Sequence, residues 1–238
     1  MKQNDLKNLK NIFGFDQYRK GQQEIIKEVL KGNDILTVMP TGAGKSLCFQ
    51  LPATLFDGLT LVVSPLIALM QSQVAQLKLL GVKAGSLNSS NSEAENRETL
   101  KMLENNELKM LYVAPERLIK QEIIDLLKTK KISLLAIDEA HCVSQWGHDF
   151  RKEYLKLGEI RKELSMVQTI ALTATADETT RKDIVDKIFP KKPSIFIQGF
   201  DRPNIYLSML PKNNAKKKMI NFCFTRFTLT LLLSHHWH

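Results

Sequence analysis

Seven short, mostly apolar runs recur along the first 200 residues of the chain. They are DILTVM (34–39), LTLVVS (59–64), KAGSL (83–87), MLYVA (110–114), ISLLAID (132–138), TIALT (169–173) and SIFIQ (194–198). In most of them apolar residues stand at successive positions, a pattern typical of strands that are buried on both faces of a sheet. We therefore predict a sheet of these seven strands, covered on both sides.

Amphipathic segments of helix length separate most of these runs. Their apolar residues recur at the spacing of one helix face, over 67–80, 92–103, 116–127 and 178–188. Ser92 and Glu95 have the identity and spacing of a capping box, which marks a helix start. Strands that alternate with helices predict an α/β fold with a mostly parallel sheet and helices on both faces.

The end of the chain departs from this alternation. FDRPN leads into the basic KNNAKKKMINF, and 223–238 then has no acids, turn signals or helical period. We interpret 223–238 as a strand pair, a C-terminal scar or the result of a reading-frame change, with no part in the chemistry. The expected organisation is a helical N-terminal segment over 1–30, a main domain over 31–207, and a basic linker with an atypical tail over 208–238.

Composition is that of a globular protein with a core, since 43% of the residues are hydrophobic and 25% are charged. The net charge is +9, but eight Lys or Arg and one acid lie from residue 191 onward. The rest of the chain is therefore nearly neutral. Bulk charge is for this reason weak evidence for a nucleic-acid partner.

The cysteines and the N-terminus bear on the compartment. Cys48, Cys142 and Cys223 lie far apart and form no CxxC pair, which favours neither a disulfide framework nor a zinc site. The N-terminal MKQNDLKNLKNIFGF lacks the apolar stretch of a signal peptide. No apolar run approaches the roughly 18 residues of a transmembrane helix. We expect a cytoplasmic protein without a membrane partner.

The segment MPTGAGKS (39–46) lies between a predicted strand and a predicted helix. A glycine-rich turn in this position points backbone N–H groups at phosphate oxygens, at the positive end of a helix dipole. The residues expected to bind the phosphates of ATP are Thr41, Gly42, Ala43, Gly44, Lys45 and Ser46. Lys45 would reach the β and γ phosphates, and the Ser46 hydroxyl would bind Mg²⁺. The alternative is a glycine-rich turn with a chance lysine, which the flanking strand and helix disfavour.

The segment LLAIDEAH (134–141) places two acids at the end of a predicted strand. Asp138 would hold Mg²⁺, directly or through water, and Glu139 would orient and deprotonate the attacking water. His141, two residues after Glu139, is the fourth candidate catalytic residue, with Lys45 and these acids. A pair of solvated acids at a strand end is the alternative.

These motifs resemble those of a known group of enzymes. TGAGKS, DEAH, ALTATA (171–176) and SPLIALMQSQV (64–74) are similar to the motifs of superfamily 2 helicases. FGFDQYRKGQQEII, YVAPERL, CVSQWGHDFR and FDRPNI narrow the resemblance to the RecQ family of DNA helicases. The sequence departs from the usual patterns at Met39, where a P-loop has Gly, and at Lys20, where the family often has Pro.

The resemblance covers roughly residues 6–210 and implies the first of two RecA-like P-loop NTPase domains. It implies an ATP-dependent 3′–5′ DNA helicase of repair and recombination, with ATP and Mg²⁺ as cofactors and single-stranded and forked DNA as partners. The second RecA-like domain, which normally completes the ATP site with arginines, is expected to be missing from this chain.

By resemblance, FGFDQYRKGQ (13–22) recognises the nucleotide base. Phe15 and Arg19 can sandwich an adenine by stacking and cation–π contact. Gln22 has a donor and an acceptor that match those on the adenine edge. An ordinary loop before a helix that starts at Gln22 is the alternative.

Other motif residues are expected on the DNA side. Ser64 and Pro65 would meet a DNA phosphate at a helix start, and Thr173 and Thr175 would link the γ-phosphate site to DNA. The loop after the acids carries Trp146, His148, Phe150 and Arg151. The rings can stack on unpaired bases, and His148 and Arg151 can meet phosphates. The alternatives are helix caps for the hydroxyls and a core plug for Trp146.

Two other functions stay open at this point. One is a DEAH-type RNA helicase, because contacts to 2′-hydroxyls cannot be seen in a sequence. The other is an ATP- and DNA-binding fragment without useful turnover, because arginines from a second domain are worth roughly 10³ to 10⁵ in rate.

Overall fold

The structure is a computed structural model that describes residues 2–146, 149–199 and 220–221. The chain divides into two compact units, Met1–Phe200 and Asp201–His238. The helical N-terminal segment belongs to the first unit. The expected end of the main domain and the expected linker and tail lie outside the described residues, apart from a helical pair of residues near the middle of that tail.

The first unit is built on a seven-stranded parallel sheet with the order β3-β4-β2-β5-β6-β1-β7. Its strands are β1 (Ile35–Val38), β2 (Leu59–Val63), β3 (Ala84–Leu87), β4 (Met110–Val113), β5 (Ile132–Ile137), β6 (Thr169–Thr173) and β7 (Ser194–Ile197). Each strand lies within one of the seven apolar runs, so the predicted α/β fold is confirmed.

Helices connect the strands. They are α1 (Lys2–Phe13), α2 (Gln22–Leu30), α3 (Leu47–Leu55), α4 (Ile67–Leu79), α5 (Glu93–Glu104), α6 (Pro115–Leu118), α7 (Gln121–Lys128), α8 (Leu157–Glu163) and α9 (Glu178–Ile188). Two 3₁₀ turns, Ala140–Val143 and Lys152–Lys156, lie between β5 and α8. None of the helices in the described ranges combines the length and the apolar character needed to span a membrane.

Side chains from the middle of the sheet pack on both of its faces. In β5, Leu135 and Ile137 belong to one buried cluster, whereas Leu134 and Ala136 belong to another. Successive residues of a strand point to opposite faces, so both faces need apolar residues and both are covered. This is why the strands read as continuous apolar runs.

The segment 116–127 was predicted to be one helix, and this was wrong. The structure has α6 and α7, separated by Lys120, whose ψ of 127° is extended. Leu118 in α6 and Ile123 in α7 are buried in the same cluster. Because the apolar spacing continues across the break, the pattern alone could not reveal it. The capping box at α5, in contrast, is present, with Ser92 Oγ accepting from the N–H of Glu95 at 3.3 Å.

A buried ion pair joins several elements near the amino ends of the central strands. Arg161 of α8 is 2% exposed, and its Nη2 lies 2.6 Å from both carboxylate oxygens of Asp34. Its Nε donates to Val167 O (2.9 Å) and its Nη1 donates to Ile188 O (3.3 Å). Asp34 Oδ1 also accepts from the N–H of Thr169 (2.9 Å). The pair thereby connects β1, β6, α8 and the end of α9.

Strand order brings the motif segments together. In the series β2-β5-β6-β1 the strands are neighbours and parallel, so their carboxyl ends meet at one edge of the sheet. The segments SPL, DEAH, TAT and TGAGKS follow these four strands in that order. Ligands of open α/β sheets bind outside the carboxyl ends of the strands, and the candidate site lies there.

Candidate functional site

The turn between β1 and α3 has the backbone of a phosphate-binding loop. Gly42 and Gly44 have φ values of 84° and 82°, in the left-handed region that glycine tolerates best. Among the described residues, none accepts a hydrogen bond from the backbone N–H of Gly42, Gly44, Lys45 or Ser46. Thr41 and Gly42 are exposed at the tip of the turn. The turn therefore offers donors to an anion beside the start of a helix.

Lys45 and Ser46 end this turn. Lys45 Nζ donates to Met39 O (3.3 Å), which keeps the ammonium group over the turn. Ser46 occupies the N-cap position of α3, but its hydroxyl makes no capping hydrogen bond. An uncommitted hydroxyl oxygen fits Mg²⁺, a hard cation that prefers oxygen ligands.

The predicted base-recognition segment lies beside the turn. Gln22 is buried, and its Oε1 accepts from the N–H of Arg19 (2.8 Å). Its Nε2 donates to Gly44 O (2.9 Å), and Arg19 Nη1 donates to Gly42 O. The side-chain amide of Gln22 thus uses both its N–H group and its oxygen in hydrogen bonds within the protein, and these bonds hold the turn in place. Reading of an adenine edge by this amide stays a prediction, and it requires some of these bonds to be exchanged.

A cavity of about 280 Å³ opens between this segment and the turn. The ring of Phe15, 49% exposed, lines it together with Arg19. Gln76 and Leu77 of α4 and Leu80, which follows the helix, also line the cavity. These three residues were not among those predicted from the sequence. The apolar spacing over 67–80 predicts a helix but carries no signal for which residues meet a cavity.

Asp138 follows β5 directly and lies at the carboxyl edge. Its backbone N–H donates to Val63 O (2.8 Å), and the residue is 6% exposed. Burial raises the pKa of its carboxyl to about 6, and the charge of Glu139 adds to this. The N–H of Glu139 and the charges of Lys45 and His141 act in the opposite direction. A buried carboxyl group near a lysine and a phosphate-binding turn is well placed to hold a divalent cation.

The backbone of Glu139 is strained. Its φ of 48° and ψ of 47° are left-handed, which is costly for a residue with a Cβ and tends to occur at functional sites. Its Oε2 lies 3.3 Å from His141 Nδ1. The turn therefore holds the two candidate catalytic residues Glu139 and His141 side by side.

His141 connects the acids to the end of β6. Its Nδ1 lies 2.8 Å from Thr173 Oγ1, and both residues are buried. The Thr173 hydroxyl also donates to Thr175 O (3.0 Å), so it contacts both the ring of His141 and the backbone that follows β6. The predicted link through Thr173 thus has a physical contact to the DEAH segment, while its extension to DNA stays a prediction.

Tyr154 is a further residue of this region that the sequence analysis missed. Its hydroxyl donates to Asp138 O (2.9 Å) from the second 3₁₀ turn, and the side chain is fully buried. The contact fixes the backbone that carries Asp138. No local pattern could predict it, because it depends on the path of the chain between β5 and α8.

Ser64 follows β2 directly, and its hydroxyl is buried. Ser64 is 2% exposed, its buried Oγ has no hydrogen-bond partner within the part of the chain that the structure describes, and Pro65 is buried next to it. A contact between this hydroxyl and a DNA phosphate requires the segment after β2 to move. The contact stays a prediction for that reason.

The loop after the acids, residues 144–151, is called here the aromatic loop. Trp146 is 77% exposed, which does not fit the alternative of a core plug. Phe150 and Arg151 are partly buried, and Arg151 Nη2 lies 3.4 Å from Asp149 Oδ2. His148 lies outside the described residues. An exposed indole seven residues after Glu139 is the feature that a stacking contact to a ligand needs.

The thiols show no sign of reactivity. Cys48 and Cys142 are free and buried, and burial raises the pKa of each thiol to about 12. Cys223 lies outside the described residues.

Comparison with known proteins identifies the family. A family model described as DEAD/DEAH box helicase matches residues 19–184. The chain belongs to the DEAD/DEAH box helicase family. The α/β domain therefore has the fold of a RecA-like helicase motor domain, as predicted.

Curated relatives of this DEAD/DEAH box chain include DNA helicases. It is 46% identical to the ATP-dependent DNA helicase RecQ of Pasteurella multocida (strain Pm70) over 93% of this chain and 35% of that protein. It is 45% identical to the probable ATP-dependent DNA helicase RecS of Bacillus subtilis (strain 168) over 84% of this chain and 40% of that protein. The chain thus spans well under half of the length of these relatives.

A solved structure supports the fold. A hypothetical ATP-dependent RNA helicase from Sulfolobus tokodaii superimposes with a TM-score of 0.64 at 19% identity, over 82% of this chain and 57% of that one. At this level of identity the likeness supports the RecA-like fold of the DEAD/DEAH box chain and not its choice of nucleic acid.

Proposed function

We propose that this chain is the first motor domain of a RecQ-type DNA helicase, which moves 3′ to 5′ on single-stranded DNA by hydrolysing ATP. The observation that carries the proposal is the exposed Trp146, on the aromatic loop, which the 3₁₀ turn Ala140–Val143 joins to the DEAH segment. The similarity to RecQ relatives over most of the chain supports the choice of DNA. Repair and recombination are the processes proposed for the whole protein, in the cytoplasm.

The candidate site fits the chemistry of phosphoryl transfer to water. The backbone N–H groups of the phosphate-binding turn and Lys45 bind the β and γ phosphates. Ser46 and Asp138 would hold Mg²⁺, which would neutralise charge on the phosphates. Glu139 accepts a proton from the attacking water. The contact between Glu139 Oε2 and His141 Nδ1 (3.3 Å) orients the carboxylate of Glu139.

The base and the DNA bind on either side of this centre. Phe15 and Arg19 stack on the adenine in the cavity next to Gln22. Trp146 and Phe150 stack on unpaired bases, and Arg151 with His148 contacts phosphates. Once DNA has bound, a DNA phosphate contacts Ser64 and Pro65. The γ-phosphate site is linked to the DNA through Thr173 and Thr175. Forked DNA is the proposed substrate of the whole enzyme.

A second RecA-like domain completes the motor. Arginines from such a domain are worth roughly 10³ to 10⁵ in rate. The chain spans 35% of the length of its RecQ relative. A second candidate function applies to residues 1–238 acting without such a domain. In that alternative the chain alone binds ATP and DNA but turns over ATP too slowly to be useful.

The test is ATP hydrolysis with and without single-stranded DNA, measured on this chain and on a version that carries the second motor domain. We expect DNA-stimulated hydrolysis in the longer version. Glu139→Gln should abolish turnover but keep ATP binding, since an amide cannot accept the proton of water. Lys45→Ala should abolish binding of a fluorescent ATP analogue.

Several outcomes would contradict the proposal. Near-normal hydrolysis in Glu139→Gln would show that another group is the base. Unchanged analogue affinity in Lys45→Ala would contradict the phosphate site. Stimulation by single-stranded RNA but not by DNA would favour a DEAH-type RNA helicase.

A further inference from the structure

Two side chains of α9 hold the start of the aromatic loop. Ser144 is fully buried, and its hydroxyl donates to Asp183 Oδ2 (2.8 Å) and accepts from the N–H of Trp146 (3.2 Å). Lys187 Nζ donates to Val143 O (3.2 Å) and lies 3.1 Å from Asp183 Oδ2. One ion pair on a helix therefore holds two consecutive residues at the root of the loop.

The environment of Asp183 favours its ionised form. Partial burial opposes ionisation, but the hydrogen bonds from Ser144 and Lys187 outweigh it and hold the pKa of this carboxyl below its ordinary value. The side chains of Asp183 and Lys187 are 25% and 32% exposed, so this pair is not a fully hydrated surface pair. Hydrogen bonds to charged groups are stronger than those between neutral groups.

The same helix is joined to the nucleotide side of the domain. Asp177 caps α9 by accepting from the N–H of Thr180 (2.7 Å), a short connection after Thr173. Thr173 in turn contacts His141 at 2.8 Å. The segment that follows Glu139 and the segment that follows β6 therefore meet twice, once beside the acids and once at the root of the aromatic loop.

We propose that Asp183 and Lys187 are positioning residues that couple DNA binding at the aromatic loop to ATP hydrolysis at Glu139. The proposal rests on the function proposed above. With the loop root fixed to α9, a displacement of Trp146 moves both the 3₁₀ turn after Glu139 and the helix that follows Thr173. Without the ion pair, Trp146 can move while the 3₁₀ turn after Glu139 and the helix that follows Thr173 stay in place.

The first test measures the attachment of the loop in the 238-residue chain itself. The chain has two Trp, so Trp237→Phe leaves Trp146 as the single indole. Asp183→Ala and Lys187→Met should each lower the fluorescence anisotropy of Trp146, because the loop root is released. Unchanged anisotropy in both variants would overturn the attachment and the proposal with it.

Matched controls come from the same helix. Asp186 and Lys182 are exposed charges on α9, and Asp186→Ala and Lys182→Met should leave the anisotropy of Trp146 unchanged. A fall as large as that in Asp183→Ala would mean that any charge change on α9 loosens the loop, and would overturn the proposal.

The second test measures coupling in a version with the second motor domain. Asp183→Ala should keep the basal ATPase rate and lose about tenfold in maximal stimulation by single-stranded DNA, equivalent to about 1.4 kcal/mol at 25 °C. The DNA concentration for half-maximal stimulation should change little, since Trp146 remains. Ser144→Ala should behave in the same way, whereas Ser144→Thr keeps a hydroxyl and should restore stimulation.

The outcomes separate this proposal from the one on which it rests. No stimulation by DNA in the unsubstituted enzyme would contradict the proposed function and this inference together. Normal stimulation in both the unsubstituted enzyme and Asp183→Ala would overturn the inference alone. An equal loss of basal and stimulated rates would assign the pair a purely structural role, and Ser144→Ala carries the test if Asp183→Ala does not fold.

Discussion

The side chain of Gln22 holds the phosphate-binding turn through a hydrogen bond to Gly44 O (2.9 Å). Gly44 O also accepts from the N–H of Leu47 (3.2 Å), so Gln22→Ala removes one of two hydrogen bonds to this carbonyl, a loss of about 0.5–1.5 kcal/mol. We therefore expect a loss of about two- to tenfold in affinity for both ATP and GTP, with the larger loss for ATP because the base contact is lost as well. The measurement is a binding titration with both nucleotides.

The control for this change is its neighbour. Gln23→Ala alters a partly buried glutamine that makes no hydrogen bond with the phosphate-binding turn among the described contacts, and it should leave both affinities unchanged. If Gln22→Ala lowers the affinity for ATP but not for GTP, Gln22 reads the base, and its hydrogen bond to the phosphate-binding turn is unimportant for binding. No loss for either nucleotide would remove both roles.

Single residues differ in how far their positions could be predicted from the sequence. The acids and the phosphate-binding turn were placed correctly at one edge, because each follows a strand and parallel strands end together. The burial of Ser64 and the internal bonds of Gln22 could not be predicted, since both depend on how the segments pack against one another. The same holds for Tyr154, whose contact with Asp138 is created by the chain path.

The strands were easier to predict from the sequence than the break between two short helices. A strand buried on both faces must be apolar throughout, so all seven strands could be recognised in the sequence. The break at Lys120 was missed because α6 and α7 both supply buried residues to one cluster. The short 3₁₀ turns around the aromatic loop have too few residues for a period, so that segment was predicted only as a loop.

The ion pair between Arg161 and Asp34 joins β1, β6, α8 and the end of α9. Arg161→Ala should destabilise the domain by about 3–5 kcal/mol, because it leaves a partly buried carboxylate uncompensated. Urea unfolding followed by circular dichroism measures the change. The matched control is Lys162→Ala, an exposed neighbour on α8, which should stay within about 0.5 kcal/mol of the unsubstituted protein. A loss below about 1 kcal/mol in the free energy of unfolding of Arg161→Ala would mean that water solvates the Asp34 carboxylate well enough to replace Arg161.

At the scale of the whole molecule, charge and aromatic exposure indicate different things. The net charge of +9 arises mostly from the last part of the chain, which lies almost entirely outside the described residues. The exposed indole of Trp146, in contrast, lies on the first unit, close in sequence to the acids. Base stacking through this side chain, rather than bulk attraction, is therefore the proposed way in which the domain senses DNA.

In a version with both motor domains, Trp146→Ala should separate DNA binding from DNA-stimulated hydrolysis. Loss of one base stack costs about 1–3 kcal/mol of DNA affinity. The salt dependence of binding should hardly change, because it counts neutralised phosphates and Trp146 is uncharged. Basal ATPase should persist, since Lys45 and Glu139 are unchanged, whereas stimulation by single-stranded DNA and unwinding should be lost.

The matched variants are Trp146→Phe and Arg151→Ala. Trp146→Phe keeps a flat ring on the exposed loop and should retain much of the stimulation. Arg151→Ala removes a cation and should flatten the salt dependence, which Trp146→Ala leaves unchanged. ATPase rates against DNA concentration and binding titrations at two salt concentrations measure these effects. Normal stimulation in a folded Trp146→Ala enzyme would mean that the exposed indole plays no part in sensing DNA, and the coupling role of the aromatic loop would then have to be assigned to Phe150 or abandoned.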